Sequence, residues 1–415
     1  MDISKKRWLI LLASCFVTLC VGSLYAWSVF SIPMAEYLCQ ITGKKSINLS
    51  VIFTIANAVG PITMIFGGFI NDRLGPKWVL FFGGILFGAG MIGSGYANSV
   101  SMLIVTYGLG VGLSVGLVYG TTVANTVKFF PDKRGLAGGL ITACYGGSSI
   151  IIPPIATALV TNYHVTTAFR VIGIVMMFII CASAFVIEAC PLEVQHKDNP
   201  LAGKKKNKES AGGKEYTYKQ MIRESSFYLM LLTLTCGAFA GLMVISQASP
   251  IAQQMMGFTR GQAATVVSIL ALFNMMGRLV SGTMSDKFGA TGTLKVIFIG
   301  SLIASLLLYF CNKENLVFFY IGLTVIGFCF GGTMGTFPGF TAALFGSRNN
   351  SVNYGIMFIG FAFAGLAGPM IMNKINTITG RYQPAFLVSA LFAVAGMILI
   401  IIFEKLILLN KRRVE

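Results

Sequence analysis

The chain has 415 residues, of which 55% are hydrophobic and only 11% charged, and its formal net charge is +17. Soluble domains carry roughly a quarter charged residues, so this composition excludes a soluble globular protein and predicts a polytopic membrane protein. The positive excess then reads as membrane topology, with no nucleic-acid partner, and the nine cysteines, in no paired spacing, argue against a zinc module or a disulfide framework.

Lys5, Lys6 and Arg7 precede an apolar run in which Leu12-Ala13-Ser14-Cys15 has the look of a lipoprotein cleavage box. The run before Cys15 is too short for a signal core and its hydrophobicity continues to Pro33, which predicts an uncleaved first membrane helix over Trp8–Pro33. Further spans are expected at about Ile47–Ile70, Trp78–Ala97, Met102–Val127, Leu136–Val160 and Phe169–Ala189. A polar segment follows, with Lys204, Lys205, Lys206, Lys208, Gly212 and Gly213, and reads as a linker carrying a short amphipathic helix near Tyr216–Ile222. Six more spans are expected near Phe227–Ile251, Gln262–Ser285, Thr293–Cys311, Leu316–Phe340, Ser351–Asn373 and Pro384–Leu406. The expected organisation is a six-helix bundle over 1–190, a cytoplasmic linker over 191–225 and a second six-helix bundle over 226–415.

Charge sets the expected orientation. Of the 31 Lys and Arg, 23 fall at the termini, in the linker and in the loops of one side, whereas 7 fall on the other. Both termini are therefore expected in the cytoplasm of a multi-pass cell-membrane protein. The one remaining cation is Arg278, eight residues into a span from Asp286, at a depth of about 12 Å in a core of about 30 Å. A charge at that depth is costly and marks a functional site facing protein or water. Asn274 lies one turn away on the same face.

The two halves repeat at a constant offset. Gly68-Phe-Ile-Asn-Asp72-Arg73-Leu-Gly75 matches Gly282-Thr-Met-Ser-Asp286-Lys287-Phe-Gly289, 214 positions later, and Gly112, Gly116 and Pro153 match Gly327, Gly331 and Pro369 at 215 or 216. Such a repeat predicts two pseudo-symmetric six-helix bundles with a site expected between them. In the loop itself, glycines permit a tight reversal while the carboxylate caps or pairs with a neighbouring helix end. Asp72, Arg73, Asp286 and Lys287 are accordingly expected to act as gate residues. This loop pair, with twelve spans, resembles the signature of the major facilitator superfamily, and the resemblance implies an all-α membrane fold working by alternating access.

A narrower resemblance rests on Gly22-Ser-Leu-Tyr25-Ala-Trp27, Val118-Tyr119-Gly120, Phe130-Pro131-Asp132-Lys133-Arg134-Gly135, Leu272-Phe273-Asn274 with Arg278, and Asn353-Tyr354-Gly355. These look like the oxalate/formate antiporter family, which is similar to the monocarboxylate transporters. The resemblance implies that Arg278 binds a substrate carboxylate, and the planar, permanently charged guanidinium suits that task. Oxalate-exchanging members carry a lysine eight residues after the Asn of Asn353-Tyr354-Gly355, where this chain has Phe361, and Phe330 stands where the resemblance suggests tryptophan. One buried cation neutralises a monoanion but leaves a dianion uncompensated, so the expected cargo is a short monocarboxylate of the lactate, pyruvate, acetate or formate type. The alternative is an oxalate/formate-type exchanger.

The rest of the expected site is aromatic. Tyr119 lies nine residues before Lys128, at a depth of about 13 Å, where its hydroxyl could bond substrate. Tyr145 and Phe361 are equivalent at an offset of 216 and could face each other as apolar walls, with Tyr25, Phe330 and Leu24 as further candidates. Gly108, Gly112, Gly116 and Gly120 form a smooth face for the fourth helix, Pro153-Pro154 and Pro369 are expected to break the fifth and eleventh helices, and Asn57 is expected to bond between helices. No nucleophile, metal cluster or cofactor motif is present, so the reading is a transporter without cofactor or metal, not an enzyme. No Asp or Glu lies deep in a span, and the position four before the arginine, Asp in many monocarboxylate transporters, is Asn274. Proton symport and anion exchange both remain open, with a small organic anion, protons and the bilayer as the expected partners of a functional monomer.

Overall fold

The computed structural model describes residues 3–43, 45–47, 49–191 and 215–412. His196, the basic run Lys204–Lys208, Gly212, Gly213, Lys44 and Arg413 lie outside the described residues. Among those described, twelve helices are long and apolar enough to cross a membrane: Lys5–Thr42, Val51–Leu74, Pro76–Ser94, Val100–Lys128, Arg134–Asn162, Val165–Val186, Ser225–Met256, Gly261–Phe288, Ala290–Tyr309, Leu316–Phe345, Asn350–Thr379 and Gln383–Ile407. They are numbered first to twelfth below. No strand occurs among the described residues. Large side chains such as Phe66, Phe82, Phe178, Phe185, Met370 and Leu391 are exposed around the helices, as lipid-facing positions are.

Several elements depart from the expected pattern. The first helix runs through Pro33 to Thr42, where Gly43 at φ 69° ends it, and it narrows to a 3-10 turn at Gly22–Ala26. The fourth helix widens to a π segment over Ile104–Val111. The fifth helix is continuous through Pro153 and Pro154, and the eleventh is continuous through Pro369. Prolines in a membrane helix are tolerated where packing restores the lost backbone partner, so these do not break their helices. The interruption in the eleventh falls at Phe358, between Asn350–Met357 and Ile359–Thr379. There the Thr235 hydroxyl of the seventh helix donates to the Gly360 carbonyl at 3.2 Å, sharing its proton with the Leu231 carbonyl. Asn57 does not reach another helix: it is exposed, and its amide donates to the Phe53 carbonyl one turn earlier. The short helix after the central segment spans Tyr218–Met221, closed by a Thr217–Gln220 capping box and seated by buried Met221.

The glycine row of the fourth helix packs on the second. A Cβ at Gly112 would press on Ala56, at Gly116 on the Gly60 carbonyl, and at Gly120 on Met64. The tenth helix repeats this arrangement against the eighth, with Gly327 on Leu270, Gly331 on Asn274 and Gly335 on Arg278. Small residues at four-residue spacing thus bring backbones together in both halves.

The chain forms two compact units. The first comprises Met1–Pro131, Cys144–Asp198 and Ser347–Ile356, and the second Asp132–Ala143, Asn199–Gly346 and Met357–Glu415. The fifth helix therefore begins in the second unit and ends in the first, and the eleventh begins in the first and ends in the second.

Candidate functional site: a buried arginine and two capped helix starts

Within the second unit, Arg278 is 2% exposed, although it is charged and sits in an apolar helix. Its backbone is pressed between glycines: a Cβ at Gly335 would collide with the Arg278 carbonyl, and one at Gly139 would lie 2.5 Å from the same oxygen. The side chain is oriented by two acceptors. Nε donates to Asn274 Oδ1 at 3.1 Å, one helical turn away, and Nη1 donates to the Thr142 carbonyl at 3.0 Å. The guanidinium carbon lies 5.8 Å from the Phe330 ring centroid, a cation–π approach. A guanidinium has five N–H donors, so two are engaged and three remain on the Nη fork. Among the described residues no carboxylate pairs with it.

The wall beside this fork is aromatic. Phe330 and Phe361 are stacked at 6.4 Å and 29°, and Phe361 stacks on Phe358 at 4.5 Å and 24°. Phe358, at the break in the eleventh helix, and Phe361, three positions on, lie nearly parallel. The structure thus brings Arg278, Asn274, Phe330 and Phe361 together in one unit.

The remaining aromatic candidates gather in the first unit. Tyr25, in the 3-10 turn of the first helix, meets the Tyr145 ring edge-on at 5.5 Å and 76°, and Tyr119 lies 4.7 Å from Tyr145 at 53°. Leu24 is buried in the same turn. Gly22 allows this approach, since a Cβ there would run into the Tyr145 carbonyl and Ser148.

The repeated loops cap helix starts. In the second unit, Asp286 accepts from the backbone N–H groups of Gly135 and Leu136 at 2.7 and 2.8 Å, at the start of the fifth helix. In the first unit, Asp72 accepts from the N–H of Val352 at 3.1 Å, at the start of the eleventh. A carboxylate at a helix N-terminus meets unpaired N–H groups and the positive end of the dipole. The two loops differ in their cations. Asp72 also pairs with Lys128 at 2.7 Å, both side chains being 8% exposed, and Lys128 donates on to the Arg348 carbonyl at 3.2 Å. In the second unit the cation is Arg134, on the capped helix itself, donating to the Ala342 carbonyl at 3.3 Å. Arg73 and Lys287 are exposed.

Lys128, Thr142 and Phe358 contact Asp72, Arg278 and Phe361, and the sequence does not single them out. Lys128 registers in the sequence only as one more topological charge, and Thr142 contributes a backbone oxygen, which no side-chain pattern reports.

A model of the Major Facilitator Superfamily matches residues 11–369. The chain is 28% identical over 388 residues to the oxalate:formate antiporter of Oxalobacter formigenes, covering 93% of this chain and 88% of that protein. It is 25% identical over 402 residues to monocarboxylate transporter 13 of Rattus norvegicus, covering 94% and 87%. Its fold is similar to the crystal structure of the transporter FucP in the outward conformation, with a TM-score of 0.72 at 15% identity over 95% of this chain and 98% of that one. Twelve apolar helices and these relatives make it a multi-pass membrane protein of a family of transporters, not enzymes. The chain belongs to the major facilitator superfamily.

Proposed function

We propose that the protein moves a short monocarboxylate, of the lactate, pyruvate, acetate or formate type, across the membrane by alternating access, with Arg278 holding the carboxylate. One observation carries this reading: a fully buried guanidinium with three unengaged N–H groups on its Nη fork and no carboxylate partner among the described residues. A carboxylate accepts two parallel N–H bonds from such a fork and neutralises a charge whose burial otherwise costs several kcal/mol, on the order of the ion desolvation penalty. Asn274 fixes the plane of the fork, and Phe330 and Phe361 form the apolar wall along which a short tail lies.

Arg278 and Lys128 are the charged side chains in the buried set of described residues, and Lys128 is occupied by Asp72. A dianion at Arg278 would retain an uncompensated charge, which favours a monoanion. The relationship to an oxalate:formate antiporter favours a second reading, exchange of a dicarboxylate for a monocarboxylate. Competition by a panel of mono- and dicarboxylates against labelled lactate in reconstituted vesicles tests the choice. Inhibition by monocarboxylates alone supports the first reading, and stronger inhibition by oxalate refutes it.

Transport couples either to a proton travelling with the anion or to counter-transported anion, because a neutralised Arg278 makes the loaded carrier easier to reorient than the empty one. Uptake driven by an inward pH gradient with no internal anion identifies symport; uptake requiring internal carboxylate identifies exchange. We further assign Tyr119, Tyr145, Tyr25 and Leu24 to substrate contact and Asp72, Arg73, Asp286 and Lys287 to gating. The working protein is a monomer of two six-helix repeats, over 1–190 and 226–415, joined by a linker over 191–225. Both termini face the cytoplasm, on the 23-to-7 charge asymmetry.

A further inference from the structure

The turn between the second and third helices places two cations beside an exposed aromatic belt in the first unit. Lys77 opens the third helix, one residue after Pro76, and its Nζ lies 4.7 Å from the Phe185 ring centroid and 5.6 Å from that of Trp78. Arg73 precedes it by four residues across Gly75 and is exposed. Among the described residues neither cation has a carboxylate or a hydrogen-bond partner. The neighbouring acids are engaged elsewhere: Asp72 by Lys128 at 2.7 Å, and Glu188 by Lys6 at 2.6 Å.

Below the cations the surface is apolar and ordered by ring contacts. Trp78 stacks on Phe82 at 6.0 Å and 27°, Phe81 meets Phe82 edge-on at 5.7 Å, and Phe81 meets Phe185 edge-on at 5.6 Å. Trp78 is 49% exposed, Phe82 62% and Phe185 58%. Aromatic rings of this kind occupy the boundary between hydrocarbon and headgroups, and acyl chains cover the apolar faces beneath them. Lys77, held over two rings, presents beside this belt a charge with no carboxylate partner among the described residues.

We propose that Lys77, Arg73, Trp78, Phe82 and Phe185 form a binding surface for one anionic phospholipid, whose phosphodiester lies against the two cations and whose acyl chain lies on the ring belt. Charge complementarity names the occupant. A zwitterionic lipid carries its own cation and gains little from Lys77, whereas phosphatidylglycerol supplies the missing anion. The proposal is independent of the substrate bound at Arg278.

The test uses the full chain with Trp8 and Trp27 replaced by phenylalanine, leaving Trp78 as the single indole of the three. In bilayers, quenching of Trp78 by brominated phosphatidylglycerol is compared with quenching by brominated phosphatidylcholine of the same acyl chains. The expected result is preferential quenching by phosphatidylglycerol. In Lys77→Gln that preference falls about five-fold, the effect of losing one cation at a membrane surface, and in Lys77→Arg it is restored. Restoration by arginine shows that the charge at position 77 sets the preference, and unchanged quenching of Lys77→Gln by brominated phosphatidylcholine shows that its fold survived. An unchanged preference in Lys77→Gln overturns the proposal, as does equal quenching by the two lipids in the parent. Abolition of the preference by added inorganic phosphate also overturns it, because the surface would then serve a soluble anion.

Discussion

Arg278→Lys tests the proposed function most directly, because it keeps the charge and removes the fork. Lysine reaches one acceptor with a point charge, so either the Thr142 carbonyl, now 3.0 Å from Nη1, keeps only its intrahelical bond, or Asn274 Oδ1, now 3.1 Å from Nε, loses its partner. A buried acceptor left unsatisfied costs about 1–3 kcal/mol. A substrate carboxylate that exchanges two parallel charge-assisted bonds for one loses a comparable amount, about 1.5–3 kcal/mol. At 1.4 kcal/mol per tenfold, substrate affinity should fall by about 10- to 150-fold. Reconstituted vesicles with labelled lactate give the half-saturation concentration and maximal rate, and thermal unfolding in detergent separates folding from binding. A folded Arg278→Lys protein that transports with unchanged half-saturation would refute the assignment of the carboxylate to the guanidinium fork.

Three further outcomes follow from particular contacts. Asp72→Asn should destabilise more than Asp286→Asn: the first strands Lys128 as an uncompensated buried cation, at about 3–5 kcal/mol, whereas the second weakens two charge-assisted bonds to Gly135 and Leu136, at about 1.5–3 kcal/mol. Thermal unfolding of both variants ranks them, with Asp72→Asn/Lys128→Met recovering part of the loss; the reverse ranking contradicts the ion-pair argument. Phe361→Lys adds a second cation on the wall beside Phe330 and should shift competition from monocarboxylates toward oxalate by about tenfold or more, as a compensated second charge of at least 1.4 kcal/mol requires; unchanged selectivity would show that Phe361 lies off the substrate path. Burial pushes the Cys190 thiol up to about 12, opposed by the charge of Lys128, so it is almost wholly protonated at neutral pH. Its maleimide labelling near pH 7 should be on the order of a thousandfold slower than that of a free thiol and should recover on denaturation, since the thiolate is the reactive form; fast labelling of the native protein contradicts this burial.

The membrane helices are legible because a span is a composition: about 20 apolar residues suffice, and tertiary context scarcely alters the count. Arg278 is legible for the same reason, as a charge where hydrocarbon should be. What holds it is not. The Thr142 carbonyl is common to every residue type, and Gly139 and Gly335 matter only because other backbones arrive there. The break in the eleventh helix is hidden because its obvious marker, Pro369, stays helical, while Phe358 carries no breaking signal of its own. Asn57 illustrates the opposite error. A polar side chain in a span suggests an interhelical bond, yet its own backbone offers the Phe53 carbonyl one turn back without ordering a second helix.

The two repeats share a loop motif but solve its electrostatics differently, and the difference bears on where charge is available. Asp72 and Lys128 neutralise each other beneath the start of the eleventh helix, so that joint is internally balanced. Asp286 instead balances against two backbone N–H groups at the start of the fifth helix, while Arg134 donates one bond to the Ala342 carbonyl and lies in the field of Glu215 and Asp286. Neither arrangement lends a carboxylate to Arg278, which is tied to the fifth helix by the Thr142 carbonyl one turn past Gly139. That helix begins in the unit holding Arg278 and ends in the other. On the proposed function, a carboxylate arriving at the Nη fork takes the remaining N–H of Nη1 and one of Nη2, while the other N–H of Nη1 stays on the Thr142 carbonyl. A neutral isostere of arginine could not substitute in that step, because it would neither attract the anion nor lose anything when the anion leaves.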